Sequence, residues 1–308
     1  MSEFARAAAI GLTDTPRWLP CRYLYDAEGS ALFDKITEQP EYYPTRTEAA
    51  ILERAATEIR GATGPVTLIE LGSGSSIKTS YLLSAYTGAN GTVSYVPVDV
   101  SHAALRSAGE RIAEEHPQVD VVGIHGRYED AFPLLRQHSP CMVLFLGSTV
   151  GNFNHVESLV FWQRLARHLP RDDYVLLGVD LVKDKSVLEK AYNDAAGVTR
   201  AFTKNLLARM NRELGSGIDL DQVEHVALYS EAWQRVEVYV RFRTAQTVHI
   251  KPLATTVEIG AGERVMTEIS RKFVLDDVTK YLSHFGLHVR RVYTDDRHWF
   301  GVLLLQRS

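Results

Sequence analysis

Between residues 47 and 181, short apolar runs rich in β-branched side chains alternate with amphipathic stretches of helical period, and this alternation leaves few architectures open. Runs of strand length lie at 66–71, 93–99, 119–125, 142–147 and 174–181, and helices are predicted over 47–60, 77–85, 101–115 and 155–168. Strands that are apolar along most of their length are buried on both faces, as in a parallel sheet covered by its crossover helices. The expected fold class is α/β, a doubly wound Rossmann-like domain.

The flanking segments have a different character. Residues 1–46 read as short helical pieces broken at Pro16, Pro20, Pro40 and Pro44, with an aromatic set (Tyr23, Tyr25, Phe33, Tyr42, Tyr43) beyond what a core helix needs, as in a cap. Beyond 181, a long helix over 183–215 and strands at 223–228, 236–244, 247–251 and 256–259 predict an inserted α+β unit. A helix over 275–285 and strands at 288–295 and 299–305 then return the chain to the sheet as a closing hairpin. The expected division is 47–181 plus 273–308 as a cofactor-binding domain and 1–46 plus 182–272 as a substrate-binding cap.

Composition narrows the function classes. A net charge of -4 without a long Lys or Arg run lacks the basic footprint of a nucleic-acid binder, so a small-molecule substrate is expected. Cys21 and Cys141 stand alone, and the eleven histidines form no ligand spacing, so neither a disulfide framework nor a metal site is predicted. The first twenty residues assemble no apolar signal core, and no stretch approaches the roughly 18 apolar residues that would span a bilayer. A soluble, cytoplasmic protein without a membrane partner is the expectation.

The chemistry begins at residues 70–79 (ELGSGSSIKT), where an apolar strand runs into Gly72 and Gly74 and then a helix. Missing Cβ atoms there let a ligand approach the backbone at the carboxyl edge of the sheet. Ile77 stands where a dinucleotide loop wants a third Gly or Ala, and no phosphate-binding Lys-Ser/Thr pair follows at P-loop spacing, so a cofactor without a pyrophosphate fits better than either. An ordinary strand-to-helix turn is the plainer alternative. Asp99 ends the next strand, where an acid receives ribose hydroxyls or caps the following helix, although Ser101 is the better cap. Asn152, in the loop GSTVGNF (147–153), is either a polar contact beside the cofactor or a turn residue. By pattern alone, Glu268 and Ser270 read as paired polar residues on one face of a surface strand, and Tyr192 equally as a packing residue.

Taken together, Tyr25-Asp26, PEYYPTRTE (40–48), ELGSGSSIKT (70–79), GSTVGNF (147–153), KAYND (190–194) and MTEISRKF (266–273) resemble the histidine-specific Nα-methyltransferases of ergothioneine biosynthesis, in the same order and over nearly the whole chain. The resemblance implies S-adenosylmethionine as methyl donor, lying against Gly72, Gly74 and Lys78 with Asp99 on its ribose and with Arg127 and Tyr128 near the adenine. It implies L-histidine as acceptor, with Asn152 and Tyr192 on its carboxylate and Tyr42, Glu268 and Ser270 around its imidazole. Tyr25 is implied to lie near the transferring methyl, and Tyr25 and Tyr42 are candidates to orient the amine. The product would be the trimethylated betaine, hercynine. A monomer is the expectation, although no sequence feature fixes the oligomeric state. Two positions depart from the family: Arg127 replaces an acid, and Val238 replaces a larger Met, which leaves room for a related acceptor. The alternatives are another aromatic amino acid or a histidine thiol derivative as acceptor, or a non-catalytic binding protein on the same fold.

Overall fold

The computed structural model describes residues 2–74, 76–88 and 91–308, so Ser75 of the glycine loop lies outside the described residues. In chain order the strands are β1 (Thr67–Leu71), β2 (Val93–Asp99), β3 (Val119–Val121), β4 (Ile124–His125), β5 (Cys141–Phe145), β6 (Tyr174–Asp180), β7 (Val223–Ser230), β8 (Arg235–Phe242), β9 (Gln246–Ile250), β10 (Thr255–Ile259), β11 (Arg264–Arg271), β12 (Leu287–Thr294) and β13 (Phe300–Arg307). The chain divides into two compact units. One runs up to Tyr43 and resumes at Asp184–Ser270; the other comprises Pro44–Lys183 and Arg271–Ser308.

The second unit holds one sheet in the order β12-β13-β6-β5-β1-β2-β3, with β4 also on β2. Pairings from β6 through β5, β1 and β2 to β3 and β4 are parallel, whereas β13 is antiparallel to both β6 and β12. This is the doubly wound α/β fold with a closing hairpin. Along β5 the side chains divide between two cores: Val143 and Phe145 join Phe161, Trp162 and Leu177, while Met142 and Leu144 join Ile59, Leu82 and Leu176. Period-two alternation with both faces buried explains why the strands read as continuous apolar runs. The chain leaves β1 toward β2 on one side and returns to β5 on the other, so the strand order reverses beside β1, where open α/β sheets form a crevice at their carboxyl ends.

Three local expectations need correction. The 119–125 run is broken into β3 and β4, both on β2, with Val122 and Gly123 exposed between them. Pro44 does not interrupt a helix but sits in the first turn of Tyr43–Thr63, where its missing N–H would have had no helical partner. The long helix over 183–215 is two helices, Lys185–Ala191 and Val198–Leu214. The break is chemical: the Asp194 carboxylate accepts the N–H groups of Val198 (2.7 Å) and Thr199 (2.8 Å), and Gly197 adopts φ +73°.

In the first unit, β7 and β8 are antiparallel and β11 flanks β8 on its other side, with β9 and β10 forming a separate antiparallel pair. Its core joins Phe4, Leu12 and Leu24 of the N-terminal segment to Phe202, Leu206 and Met210 of the helix Val198–Leu214 and to Val240, Phe242 and Val265 of the strands. The residues before Tyr43 therefore share a core with the insertion despite their separation in sequence.

Candidate active site

The glycine loop of the second unit follows β1. Gly72 and Gly74 adopt φ +74° and +49°, a region L side chains rarely enter. A Cβ on Gly72 would meet the Tyr128 hydroxyl at 3.1 Å, so this ring lies over the loop; it also stands edge-on to Phe145, Phe153 and Phe161. Space remains open around Gly74. Among the described residues, the buried hydroxyl of Ser73 has no hydrogen-bond partner, a costly state for a polar group unless a ligand or water completes it. Arg127 is exposed and precedes the short helix Tyr128–Ala131.

Asp99 accepts the Gly74 N–H at 2.9 Å with one carboxylate oxygen and the Ser101 N–H at 2.8 Å with the other. The following helix is capped instead by Ser101, whose hydroxyl accepts the Ala104 N–H at 3.2 Å. Asp99 is thus bound to the glycine loop itself while retaining acceptor capacity, because each carboxylate oxygen has a further lone pair. A comparable division occurs after β5. Asn154 caps the helix His155–His168 in a reciprocal box with Glu157, so the half-buried Asn152, ending the turn Thr149–Asn152, is not needed for that cap.

Beneath the loop, Glu70 is buried and receives hydroxyl hydrogen bonds from Thr79 (2.8 Å) and Tyr95, while the Ser76 and Tyr95 hydroxyls lie 2.9 Å apart. Burial pushes its carboxyl up to about 7, against the opposing pull of Tyr95, Thr79 and the Lys78 charge. Lys78 pairs instead with Glu48 on the helix Tyr43–Thr63. Glu48 is fully buried, and its two oxygens accept the Gly147 N–H at 2.8 and 2.9 Å. Its role was missed from sequence, although it belongs to the 40–48 motif. A signal was present: Gly178 interrupts the apolar run of β6, and a Cβ there would overlap the Glu48 carboxylate. A second buried charged group lies at the end of β6, where Asp180 pairs with Lys183 (2.5 Å) and Lys272 (2.8 Å) and its N–H donates to the Ser148 hydroxyl at 2.9 Å. Burial alone would raise the Asp180 carboxyl; Lys272 and Lys183 outweigh it and hold it below its usual value.

In the first unit, the Tyr192 hydroxyl donates to the Ser270 hydroxyl at 2.7 Å. Tyr192 stands edge-on to Tyr42 (6.1 Å), Tyr42 to Phe33 (6.2 Å) and Phe33 to Tyr25 (5.6 Å), and Tyr25 also meets Phe202 (5.4 Å). Four of the five candidate residues here thus join one chain of rings and hydroxyls. The fifth, Glu268, is half-buried on β11 two residues before Ser270. Ser270 is buried, so the surface-strand reading of this pair does not hold.

A family model described as a histidine-specific, SAM-dependent methyltransferase matches residues 4–307. The chain belongs to that family. It is 44% identical over 302 residues to the histidine N-alpha-methyltransferase of Mycolicibacterium smegmatis, covering 98% of this chain and 94% of that relative. Its identity to the histidine N-alpha-methyltransferase of Mycobacterium tuberculosis is 40% over 294 residues, covering 96% and 92%. A more distant relative is the 4-dimethylallyltryptophan N-methyltransferase of Claviceps purpurea, 30% identical over 238 residues, or 72% of this chain and 69% of that one. The donor that defines the family suits the glycine loop: Gly72 and Gly74 expose backbone, Ser73 offers a hydroxyl without a partner among the described residues, Asp99 has acceptor capacity and Lys78 offers a cation. Among the described residues no cluster of His, Cys, Asp or Glu could hold a metal ion, and no helix is long and apolar enough to cross a membrane.

Proposed function

We propose that this protein trimethylates the α-amino group of L-histidine, with S-adenosylmethionine as donor, to give hercynine in the first step of ergothioneine biosynthesis. The observation that carries the reading is the family match over residues 4–307, which spans both the glycine loop and the insertion. Gly72, Gly74, Lys78 and Asp99 hold the donor, with Tyr128 and Arg127 on the adenine side. Asn152 and Tyr192 receive the substrate carboxylate; Tyr42, Glu268 and Ser270 surround its imidazole. In this reading the unit from Pro44 to Lys183 with Arg271–Ser308 binds the cofactor, the other unit selects the substrate, and the protein acts as a monomer.

The donor supplies an activated methyl on a sulfonium, so the residues have little covalent chemistry to perform. They hold the α-amine in line and keep its lone pair free. An ammonium of pKa about 8 or higher must lose its proton first, to solvent, and the donor's positive charge favours that loss. Tyr25 and Tyr42 orient the neutral amine. Glu268 accepts an imidazole N–H and the Ser270 hydroxyl completes the ring's hydrogen bonding, so an apolar side chain in the same place forgoes both hydrogen bonds. Transfer ends at the trimethylated product because the quaternary nitrogen has no lone pair left to attack a further methyl.

The experiment is incubation of the purified protein with S-adenosylmethionine and each amino acid in turn, with methylated products followed by mass. Histidine should gain three methyl groups; transfer to tryptophan or another aromatic acceptor instead would move the specificity claim. The Claviceps relative and the small Val238 keep that alternative open to test, and Glu268 weighs against it, since an indole carries no charge to pair with a carboxylate.

A further inference from the structure

Glu48 is a buried group that touches two parts of the proposed donor site at once. It pairs with Lys78, at the start of the helix behind the glycine loop, and its two oxygens accept the Gly147 N–H at the carboxyl end of β5. Gly147 adopts φ +74°, and a Cβ on it would lie 3.5 Å from the Lys78 ammonium, so lysine, carboxylate and amide form a single cluster. The carboxylate itself sits against β6 in the space that Gly178 leaves open. Glu48 is fully buried, whereas the Lys78 side chain retains a fifth of its exposure. The lysine can therefore face a ligand, and Glu48 can act only through its neighbours.

The charge balance gives that arrangement a purpose. The other acid close to Lys78 is Glu70, which burial pushes up to about 7 and which is taken up by the Thr79 and Tyr95 hydroxyls. Glu48 is thus the anion paired with Lys78. A methyl donor of this class carries an ammonium, a carboxylate and a sulfonium, for a net charge of +1; after transfer the sulfonium has become a neutral thioether. An uncompensated lysine in a largely buried site would repel the first species more than the second.

We propose that Glu48 is a positioning residue of the donor site, fixing Lys78 and the Gly147 amide in one arrangement and neutralising the lysine so that the site prefers the cationic donor over its neutral thioether product. This rests on the reading that the donor binds at Gly72 and Lys78. With Glu48 in place, Lys78 offers its remaining N–H groups to the ligand's carboxylate without adding net charge. Loss of the sulfonium on methyl transfer then weakens the attraction to Glu48, which assists release of the product.

The test is calorimetric binding of S-adenosylmethionine and S-adenosylhomocysteine without acceptor, to the wild-type protein and to Glu48→Gln. The ratio of the two dissociation constants should move about tenfold against S-adenosylmethionine, the order expected for one uncompensated charge in a partly buried site. Equal weakening of both ligands, or no change in either, would overturn the proposal, because a purely structural role does not distinguish a sulfonium from a thioether. If Glu48→Gln does not fold, Lys78→Met serves in its place: removing the cation while keeping Glu48 should move the ratio the opposite way, and an unmoved ratio counts against the inference. A Gly72→Val variant separates the two levels. If it and Lys78→Met leave both affinities intact, the donor binds elsewhere and the underlying reading falls; if both variants weaken binding while the ratio stays constant, only the role of Glu48 falls.

Discussion

The two units organise their polar groups in opposite ways. Around the sheet of the second unit, ionised side chains are buried and paired: Glu48 with Lys78, and Asp180 with Lys183 and Lys272. In the first unit the candidate residues are linked by hydroxyls and rings, from Tyr25 through Phe33 and Tyr42 to Tyr192 and Ser270. A buried ion pair becomes costly when one partner is removed, so it locks loops into a single arrangement. A hydroxyl network costs less to alter and discriminates ligands by which hydrogen bonds remain unmade. On the proposed function this division matches the two ligands, a charged donor common to every turnover and an acceptor that must be chosen from similar amino acids.

The largest effect expected from breaking this contrast is on stability. Asp180→Ala leaves Lys183 and Lys272 buried without their carboxylate and should cost about 3–5 kcal/mol in urea unfolding. Burial lowers Lys183 to about 8 despite the pull of Asp180, so part of that cost should ease as Lys183 deprotonates at alkaline pH. A loss under 1 kcal/mol would mean that this group does not organise the unit.

Glu70 sharpens the comparison through pH. Its folded-state value of about 7 lies above the ordinary 4.5, so the folded protein binds the extra proton, and the group's contribution is fully present below about 4.5 and lost as pH rises through about 7. Relative to Glu70→Gln, the wild-type protein should lose on the order of 3 kcal/mol across that window. Parallel stability curves for the two proteins would show the carboxyl to be ionised throughout.

In the other unit the effects should appear in catalysis more than in folding. Glu268→Ala should lower kcat/KM for histidine by about 100-fold with little change in unfolding midpoint, as expected for a lost hydrogen bond to a charged group. An unchanged preference among amino acids would remove Glu268 from the imidazole site. The smallest expected change is Tyr192→Phe, which deletes the hydroxyl 2.7 Å from Ser270 and should cost about tenfold in KM. A full loss of activity there would point to a larger role than one hydrogen bond.

Much of the second unit was legible because its signals are local. Apolar runs marked the strands, glycines marked the β1 turn, and Ser101 capped its helix as its position in sequence suggests. The division of 183–215 into two helices was less legible: the periodicity runs on through it, the first helix stops at Ala191, and the Asp194 carboxylate accepts the Val198 and Thr199 amides to start the second. Glu48 shows the same limit more sharply. Nothing in an amphipathic helix marks one of its acids as fully buried, since that depends on Gly147, Lys78 and Gly178, which are 30 to 130 residues away.

The amino-acid sequence by itself determined the fold class, the glycine loop and the family, because periodicity, turn chemistry and ordered motifs are properties of neighbouring residues and their succession along the chain. Tertiary structure alone decided which charges are buried and with whom they pair, that Ser270 lies beneath the Tyr192 hydroxyl, and that the N-terminal residues share a core with the insertion. Burial and pairing follow from three-dimensional proximity of distant segments, and a side chain's ionisation and hydrogen-bonding role depend on that environment more than on its place in the chain.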